Sequence, residues 1–286
     1  TIGYLAIDEG SRSWGPIEYE ARTSSAVFTH SENTLSFDQG FVEAPLLLSN
    51  LATYNGADPS ALRYDDLDND SVRLWVEEDT TADAEISHSS AEAVSILAFA
   101  GEGVLYGTSL TGQVLGETGI ITNVTDQSQT ILLNRSYVDP VVFAQPASSN
   151  GGDPVVVRVT DVQSDRFEIR LQEPSNLNGT HGDETVSYVV LEAGQWELSD
   201  GTLLEVGTVD TSDSVGRNLT NQWRTVSMTT SFVDVPVVLS QVQTENDPSF
   251  VKTRQQGIAS GEFISVLLKA VQELSAKVEE LEAKLK

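Results

Sequence analysis

The sequence predicts an all-β protein made of tandem antiparallel β-sandwich domains, followed by a C-terminal coiled-coil helix. Three observations support this prediction. A similar segment occurs three times, at intervals of about 95 residues. Short apolar runs rich in Val, Leu, Ile and Phe are bounded by Gly, Asn, Asp and Pro, which is typical of short strands joined by turns. The last part of the chain instead carries apolar residues at alternating spacings of four and three.

The repeated segment consists of an aromatic residue, a proline and an apolar run. Its copies are 41–49, 137–144 and 232–240. Each is followed by a turn with an Asp-Pro pair and, four residues beyond the proline, by a cation. The first two copies continue through an alternating strand, a polar loop with one histidine and a closing apolar strand. Because self-similarity at a fixed period marks repeated structural units, we expect an array of small β domains.

The repeat divides the chain into five segments. We expect a closing strand of a preceding or permuted unit, two β-sandwich repeats, a partial third repeat and a helix, at 1–10, 11–103, 104–200, 201–263 and 264–286. The first segment resembles the closing strand of the second repeat, and the third repeat lacks such a strand. Two explanations are open: the chain is a slice of a longer array, or its first strand completes the third repeat, in the same chain or in a neighbour. An unpaired sheet edge favours a partner.

Charge and composition restrict the function. A formal net charge of −27 argues against binding to nucleic-acid phosphates, which requires a basic surface. The lysine-poor, aspartate-rich composition fits a salty environment, marine or halophilic, and fits a merely acidic extracellular protein equally well. The chain has no cysteine, which excludes disulfides and thiolate chemistry. No apolar stretch is long enough for a membrane helix, and we expect no membrane insertion. The location expected for an extracellular fibre is the extracellular space or the virion surface.

The C-terminal segment has the a/d pattern of a coiled coil. Its apolar positions are Leu267, Val271, Leu274, Val278, Leu281 and Leu285. Three heptads are marginal for an isolated helix, so burying these side chains predicts association with copies of the same chain. We favour a trimer, with a dimer as the alternative. A single amphipathic helix lying on its own domain would also fit the pattern.

The order of these landmarks resembles the H-type lectin domain, a six-stranded antiparallel β-sandwich that forms trimers and binds sugar near subunit boundaries. The resemblance covers about residues 25–100 and 120–194 and part of 225–264. It implies that a turn aspartate, a strand arginine and a loop histidine contact a cell-surface glycan. The matching residues are Asp58, Arg63 and His88 in the first repeat and Asp153, Arg158 and His181 in the second. The third repeat offers Asp247 and Lys252 but no histidine, and the tail resembles the coiled coil of phage tail-fibre chaperone domains.

No residue constellation indicates catalysis, and we expect neither an enzyme nor a required cofactor. The three histidines lie far apart in sequence. Each loop histidine has a nearby acid, which fits a structural hydrogen bond as well as a ligand contact. A calcium loop is a weak candidate at Asp66, Asp68 and Asp70, because the glycine required at the sixth position is Ser71.

Two functions follow from this reading. The first is a structural and receptor-binding, carbohydrate-recognising component of an extracellular fibre, above all a viral tail fibre or spike, in which weak sites act together. The alternative is a purely structural surface adhesin or filament subunit of a marine or halophilic microbe, without a sugar site.

Overall fold

The computed structural model describes residues 1–81, 84–107, 113–212, 223–246 and 249–255. Within these ranges the chain is all-β with antiparallel sheets, as predicted, and contains no helix that could cross a membrane. The predicted coiled-coil helix lies outside the described residues. The strands are β1 Ile2–Ile7, β2 Gly10–Trp14, β3 Ile17–Thr23, β4 Asn33–Ser36, β5 Leu46–Leu51, β6 Ser60–Asp65, β7 Ser71–Glu78, β8 Val94–Phe99, β9 Gly103–Tyr106, β10 Val114–Val124, β11 Gln129–Leu132, β12 Pro140–Pro146, β13 Val156–Gln163, β14 Arg166–Gln172, β15 Glu184–Glu192, β16 Gly194–Glu197, β17 Leu203–Val209 and β18 Val237–Val242.

The first unit is a sandwich of two antiparallel sheets, with strand orders β2-β3-β8-β5 and β4-β7-β6. Its core lies between the sheets and includes Leu47, Tyr64, Leu74 and Ile96. Strand β7 alternates buried and partly exposed residues, because one of its faces packs on this core and the other faces outward. Among its described residues the unit has seven strands, one more than the resemblance implied.

The second unit repeats this architecture with the orders β9-β10-β15-β12 and β11-β14-β13. Its core again lies between a four-stranded and a three-stranded sheet and includes Val142, Val159, Ile169 and Val190. The equivalent strands of the two units therefore occupy equivalent places.

The third unit contains a four-stranded sheet in the order β16-β17-β1-β18. Strand β1, from the start of the chain, lies between the other two long strands, with Leu5 opposite Val206 on one side and Leu239 on the other. This is the place that β8 and β15 hold in the first two units. The first strand thus completes the third sheet within the same chain, which is one of the two arrangements left open by the sequence.

The three four-stranded sheets share a central core. It joins side chains from all three units, including Leu5, Leu48, Phe99, Phe143, Leu191 and Leu239. In β8, Leu97 and Phe99 face this shared core while Ile96 and Ala98 face the core of the first unit. A strand buried on both faces must be apolar at nearly every position, as β8 is. The units are therefore parts of one packed body.

Strands β5, β12 and β18 meet around an approximate threefold axis. A side-chain amide from each unit accepts a hydrogen bond from a backbone N–H of another unit, in cyclic order. The bonds run from Ser49 N to Gln145 Oε1 (2.6 Å), from Val142 N to Gln243 Oε1 (2.9 Å) and from Ser240 N to Asn50 Oδ1 (2.8 Å). One chain thus has the threefold arrangement of a trimer.

Candidate functional site

An arginine of the first unit is buried in the second unit. Arg63, on β6, is 1% exposed. Its Nη2 lies 3.2 Å from Glu184 Oε1 and 3.2 Å from Ser149 Oγ, and 3.4 Å from the carbonyl oxygen of Ser148. A buried charge is costly unless it is paired and hydrogen-bonded, so this contact requires the two units to stay together.

Glu184 lies at the centre of a buried chain of hydrogen bonds. His181 Nε2 is 3.1 Å from Glu184 Oε1, and His181 Nδ1 is 3.0 Å from Glu173 Oε1. The backbone N–H groups of Asn150 and Gly151 donate to the Glu184 carboxylate at 3.0 and 3.2 Å. Both ring nitrogens of the histidine face carboxylates, so a doubly protonated ring can donate to both.

Hydrogen bonds outweigh burial in setting the pKa values of Glu184 and His181. Burial alone would raise the pKa of Glu184, but hydrogen bonds from His181, the Ser148 hydroxyl and backbone amides lower it to about 2. Burial alone would lower the pKa of His181, but its bonds to Glu184 and Glu173 raise the pKa above the ordinary 6.5. The environment therefore favours the ionised forms of both residues.

The same cluster occurs in the first unit, with an arginine from the third. His88 Nδ1 is 2.9 Å from Glu78 Oε1, and His88 Nε2 is 3.1 Å from Glu92 Oε1. Arg254 Nη2 donates to Glu92 Oε1 at 2.7 Å, and its other bonds reach carbonyl groups before β6 and the Ser60 hydroxyl at the start of β6. Burial alone would raise the pKa of Glu92, but bonds from His88, Thr53 and backbone amides lower it to about 2.

Two equivalent glycines make room for the histidines. A Cβ on Gly56 would lie 2.3 Å from His88 Cε1, and one on Gly151 would lie 2.4 Å from His181 Nε2. Any side chain would therefore displace the imidazole ring. This close approach explains the glycine in the Asn-Gly pair of the first two turns.

The arginine contacts form a closed cycle. Arg63 reaches from the first unit to the second, Arg158 from the second to the third, and Arg254 from the third to the first. Arg158 Nη2 lies 3.4 Å from Thr244 O, and Nη1 lies 3.5 Å from Val251 O. In the third unit Arg254 pairs with a buried glutamate of the first unit, two residues beyond Lys252, the cation that the repeat matched to Arg63 and Arg158. Lys252 is partly buried, which lowers its pKa to about 8.

The residues that the lectin resemblance grouped by repeat are grouped differently in space. Arg63 pairs with Glu184, the partner of His181, whereas the partner of His88, Glu92, pairs with Arg254. His88 and His181 are 2% and 5% exposed and lie at unit boundaries. Asp58 is half-buried and its carbonyl accepts from Arg254, whereas Asp153 is exposed. Asp247 lies outside the described residues. Sugar binding by the six residues stays a prediction.

Sequence reasoning found the histidines and the acids that follow them but missed most of their partners. Glu78 and Glu173 occupy equivalent positions at the ends of two repeated strands, so aligning the repeats could have found them. Arg254 could not be found in this way, because it is displaced by two positions from the cations of the other repeats.

The calcium candidates serve other contacts. Asp68 Oδ1 accepts from the backbone N–H groups of Asp70 and Ser71, and these bonds lower the Asp68 pKa. Asp66 pairs with Arg73 at 3.0 Å. Among the described residues, the group of three acids whose carboxylate oxygens lie within 4.8 Å of one another is instead Asp58, Glu78 and Glu85.

A half-exposed aromatic pair lies beside Arg254. The rings of Tyr54 and Trp223 meet edge to face with centroids 5.1 Å apart, and the Arg254 guanidinium lies 4.6 Å from the centre of the Tyr54 ring. The Tyr54 hydroxyl donates to the carbonyl oxygen of Ala57 at 2.9 Å, directly before Asp58 in the chain. This surface, Tyr54–Trp223–Asp58, combines aromatic faces with a carboxylate.

These features define a single-chain, threefold-like β assembly whose polar clusters lie between units. The chain is similar to halomucin from Haloquadratum walsbyi (strain DSM 16790 / HBSQ001), with 34% identity over 144 residues. The similar region is 48% of this chain but 2% of the length of halomucin. No protein-family profile matches the chain, and no solved structure matches it.

Proposed function

We propose that this chain is a structural module of a surface or extracellular protein of a halophilic microorganism. This is the alternative that the sequence left open. Its support comes from the similarity to halomucin, a protein of a halophile, and from the net charge of −27. High salt screens self-repulsion over a few ångströms, so such a charge is tolerated there. A viral tail fibre or spike gains no support from these observations.

The observation that carries the proposal is the cycle of buried arginines. Arg63 and Arg254 each satisfy a buried glutamate of the next unit, and Arg158 donates to carbonyls of the third unit. The most distinctive polar groups therefore serve to hold units together. A body closed in this way suits a mechanical block within a long extracellular protein, where stability matters more than an open pocket.

Surface labelling of the source organism tests this function. An antibody raised against residues 1–255 should label intact cells or detect the protein in the medium, without permeabilisation. A cytoplasmic protein stained in parallel provides the control for intact membranes. Labelling that appears only after permeabilisation would contradict the proposal.

Carbohydrate recognition is a second candidate, favoured by the Tyr54–Trp223–Asp58 surface. Aromatic rings and a carboxylate near a unit boundary suit the stacking and hydrogen bonding of a sugar. A glycan array at high salt, with Trp223→Ala as the test variant and Trp75→Ala as a control, measures this role. Binding lost only in Trp223→Ala supports it, and the absence of binding by the unchanged protein removes it.

A further inference from the structure

We infer that Asn178 is an acceptor for an N-linked glycan. The acceptor motif Asn-X-Ser/Thr begins at Asn69, Asn123, Asn134, Asn178 and Asn218, of which Asn218 lies outside the described residues. In the cell the inference rests on the proposed extracellular location. The folded protein itself distinguishes Asn178 from Asn123 and Asn134.

Asn178 begins the one described motif whose three residues are all exposed, Asn178 to Thr180. In the motif at Asn123 the middle residue, Val124, is buried. Asn178 Oδ1 accepts a hydrogen bond from the Thr180 N–H at 2.7 Å, which forms an Asx turn. Within the described part of the chain no hydrogen bond engages Asn178 Nδ2, so the nucleophilic amide group is accessible.

The loop that carries this motif is anchored. It connects β14 to β15, and the Gly179 N–H donates to Glu173 Oε2 at 3.1 Å. Glu173 also binds His181, which holds the far side of the loop. At the near side, Asn176 exchanges hydrogen bonds with Thr80 of the first unit. The folded protein therefore presents the motif in one conformation on its surface.

Asn134 provides a contrast within the same chain. Its Nδ2 donates to Glu117 Oε1 at 3.2 Å, and its backbone N–H donates to Glu117 Oε2 at 3.1 Å. Glu117 is fully buried. Modifying Asn134 would break a bond to a buried carboxylate, so we expect it to remain unmodified in the folded protein.

The reaction needs a lipid-phosphate-linked oligosaccharide as the donor. Asn178 Nδ2 forms a bond to the anomeric carbon of the sugar while the bond from that carbon to the phosphate oxygen breaks. The phosphate oxygen keeps the electron pair, and the amide nitrogen loses one proton to a base. No electron is transferred.

Transfer to the purified, folded full chain tests the inference without requiring export. The chain is incubated at high salt with Haloquadratum walsbyi membranes and their lipid-linked oligosaccharide. The protein is then digested, and the masses of its peptides are measured by mass spectrometry. A short Asn-X-Thr peptide in the same reaction shows that the transferase is active. The peptide containing Asn178 should gain a glycan, while the peptide containing Asn134 should not.

Variants separate recognition of the motif from folding. Asn178→Gln and Thr180→Ala should abolish the modification, and Thr180→Ser should retain it. An unmodified Asn178 beside a modified acceptor peptide would overturn the inference, as would equal modification of Asn134. Labelling of the protein only inside cells would instead contradict the proposed function and leave this result standing.

Discussion

Arg254 lies where the third unit meets the first and makes the contact that closes the cycle. Its guanidinium is nearly buried and lies 2.7 Å from Glu92, whose pKa is held at about 2. The Glu92 carboxylate is fully buried. Without Arg254, the Glu92 carboxylate would keep His88 and the backbone amides as hydrogen-bond partners. It would lose the one partner among the described residues that carries a permanent positive charge.

Replacing Arg254 should therefore destabilise the whole chain. We expect Arg254→Leu to lower the free energy of unfolding by about 3–5 kcal/mol, because it leaves a buried charge without its partner. Chemical denaturation at constant high salt measures this. Arg166 is a matched control, since it is half-exposed and lies 3.8 to 3.9 Å from its acidic neighbours. Equal losses for Arg254→Leu and Arg166→Leu would contradict the role of the buried arginine.

The His181–Glu184 pair predicts a defined pH dependence. The raised pKa of His181 contributes stability that is fully present below pH 6.5 and is lost as the pH rises through the folded-state pKa. The lowered pKa of Glu184 contributes stability that is present above pH 4.5 and is lost as the pH falls towards about 2. Their joint contribution is therefore largest between pH 4.5 and 6.5.

His181→Gln should remove the part of the stability loss above pH 6.5 that comes from deprotonation of His181. The free energy of unfolding of the variant should fall less steeply above pH 6.5 than that of the unchanged protein. Denaturation curves across pH at fixed salt measure the slope, and exposed His30→Gln serves as the control. The same slope in all three proteins would show that His181 does not titrate with folding.

At the scale of elements, β1 connects the beginning of the chain to its third unit. It supplies Leu5 and Ile7 to the central core and pairs with strands on both of its edges. Its loss would expose two sheet edges and open a cavity in the core shared by all units.

A chain lacking residues 1–8 should lose cooperative unfolding, and added peptide 1–8 should restore it. The peptide can restore both rows of backbone hydrogen bonds and the buried leucine. Calorimetry of the truncated chain with and without peptide measures the recovery, and a Leu5→Asp peptide is the control. A truncated chain that unfolds like the intact protein would contradict the place of β1.

The C-terminal helix remains a prediction at the same scale. If its a/d residues associate, light scattering should give an oligomer for residues 1–286 and a smaller mass without residues 264–286. The body already has a threefold arrangement within one chain, so the helix would join several such bodies. The same monomer mass for both chains would reject this role.

For the whole molecule, the repeat predicted the architecture better than it predicted the site. The apolar runs of β5, β12 and β18 and the alternation of β7 mark strands because burial imposes their spacing. The partner of Arg63 could not be predicted, since it lies 121 residues away and in another unit. The sequence also does not show that Arg254, and not Lys252, makes the contact between units. Arg254 lies two residues beyond the position of Arg63 and Arg158 in their repeats, and only the path of the folded chain brings it to Glu92. Contacts between units involve residues of two repeats, so the pattern within one repeat does not predict them.

The central claim is that three units close into one cooperative body through β1 and the arginine cycle. Amide hydrogen exchange in β5, β12 and β18 tests it most directly, in the unchanged protein and in Arg254→Leu at the same high salt. We predict one common opening free energy for the three strands and an equal decrease in all of them in the variant. Protection of β12 that stays unchanged while that of β5 and β18 falls would contradict the claim.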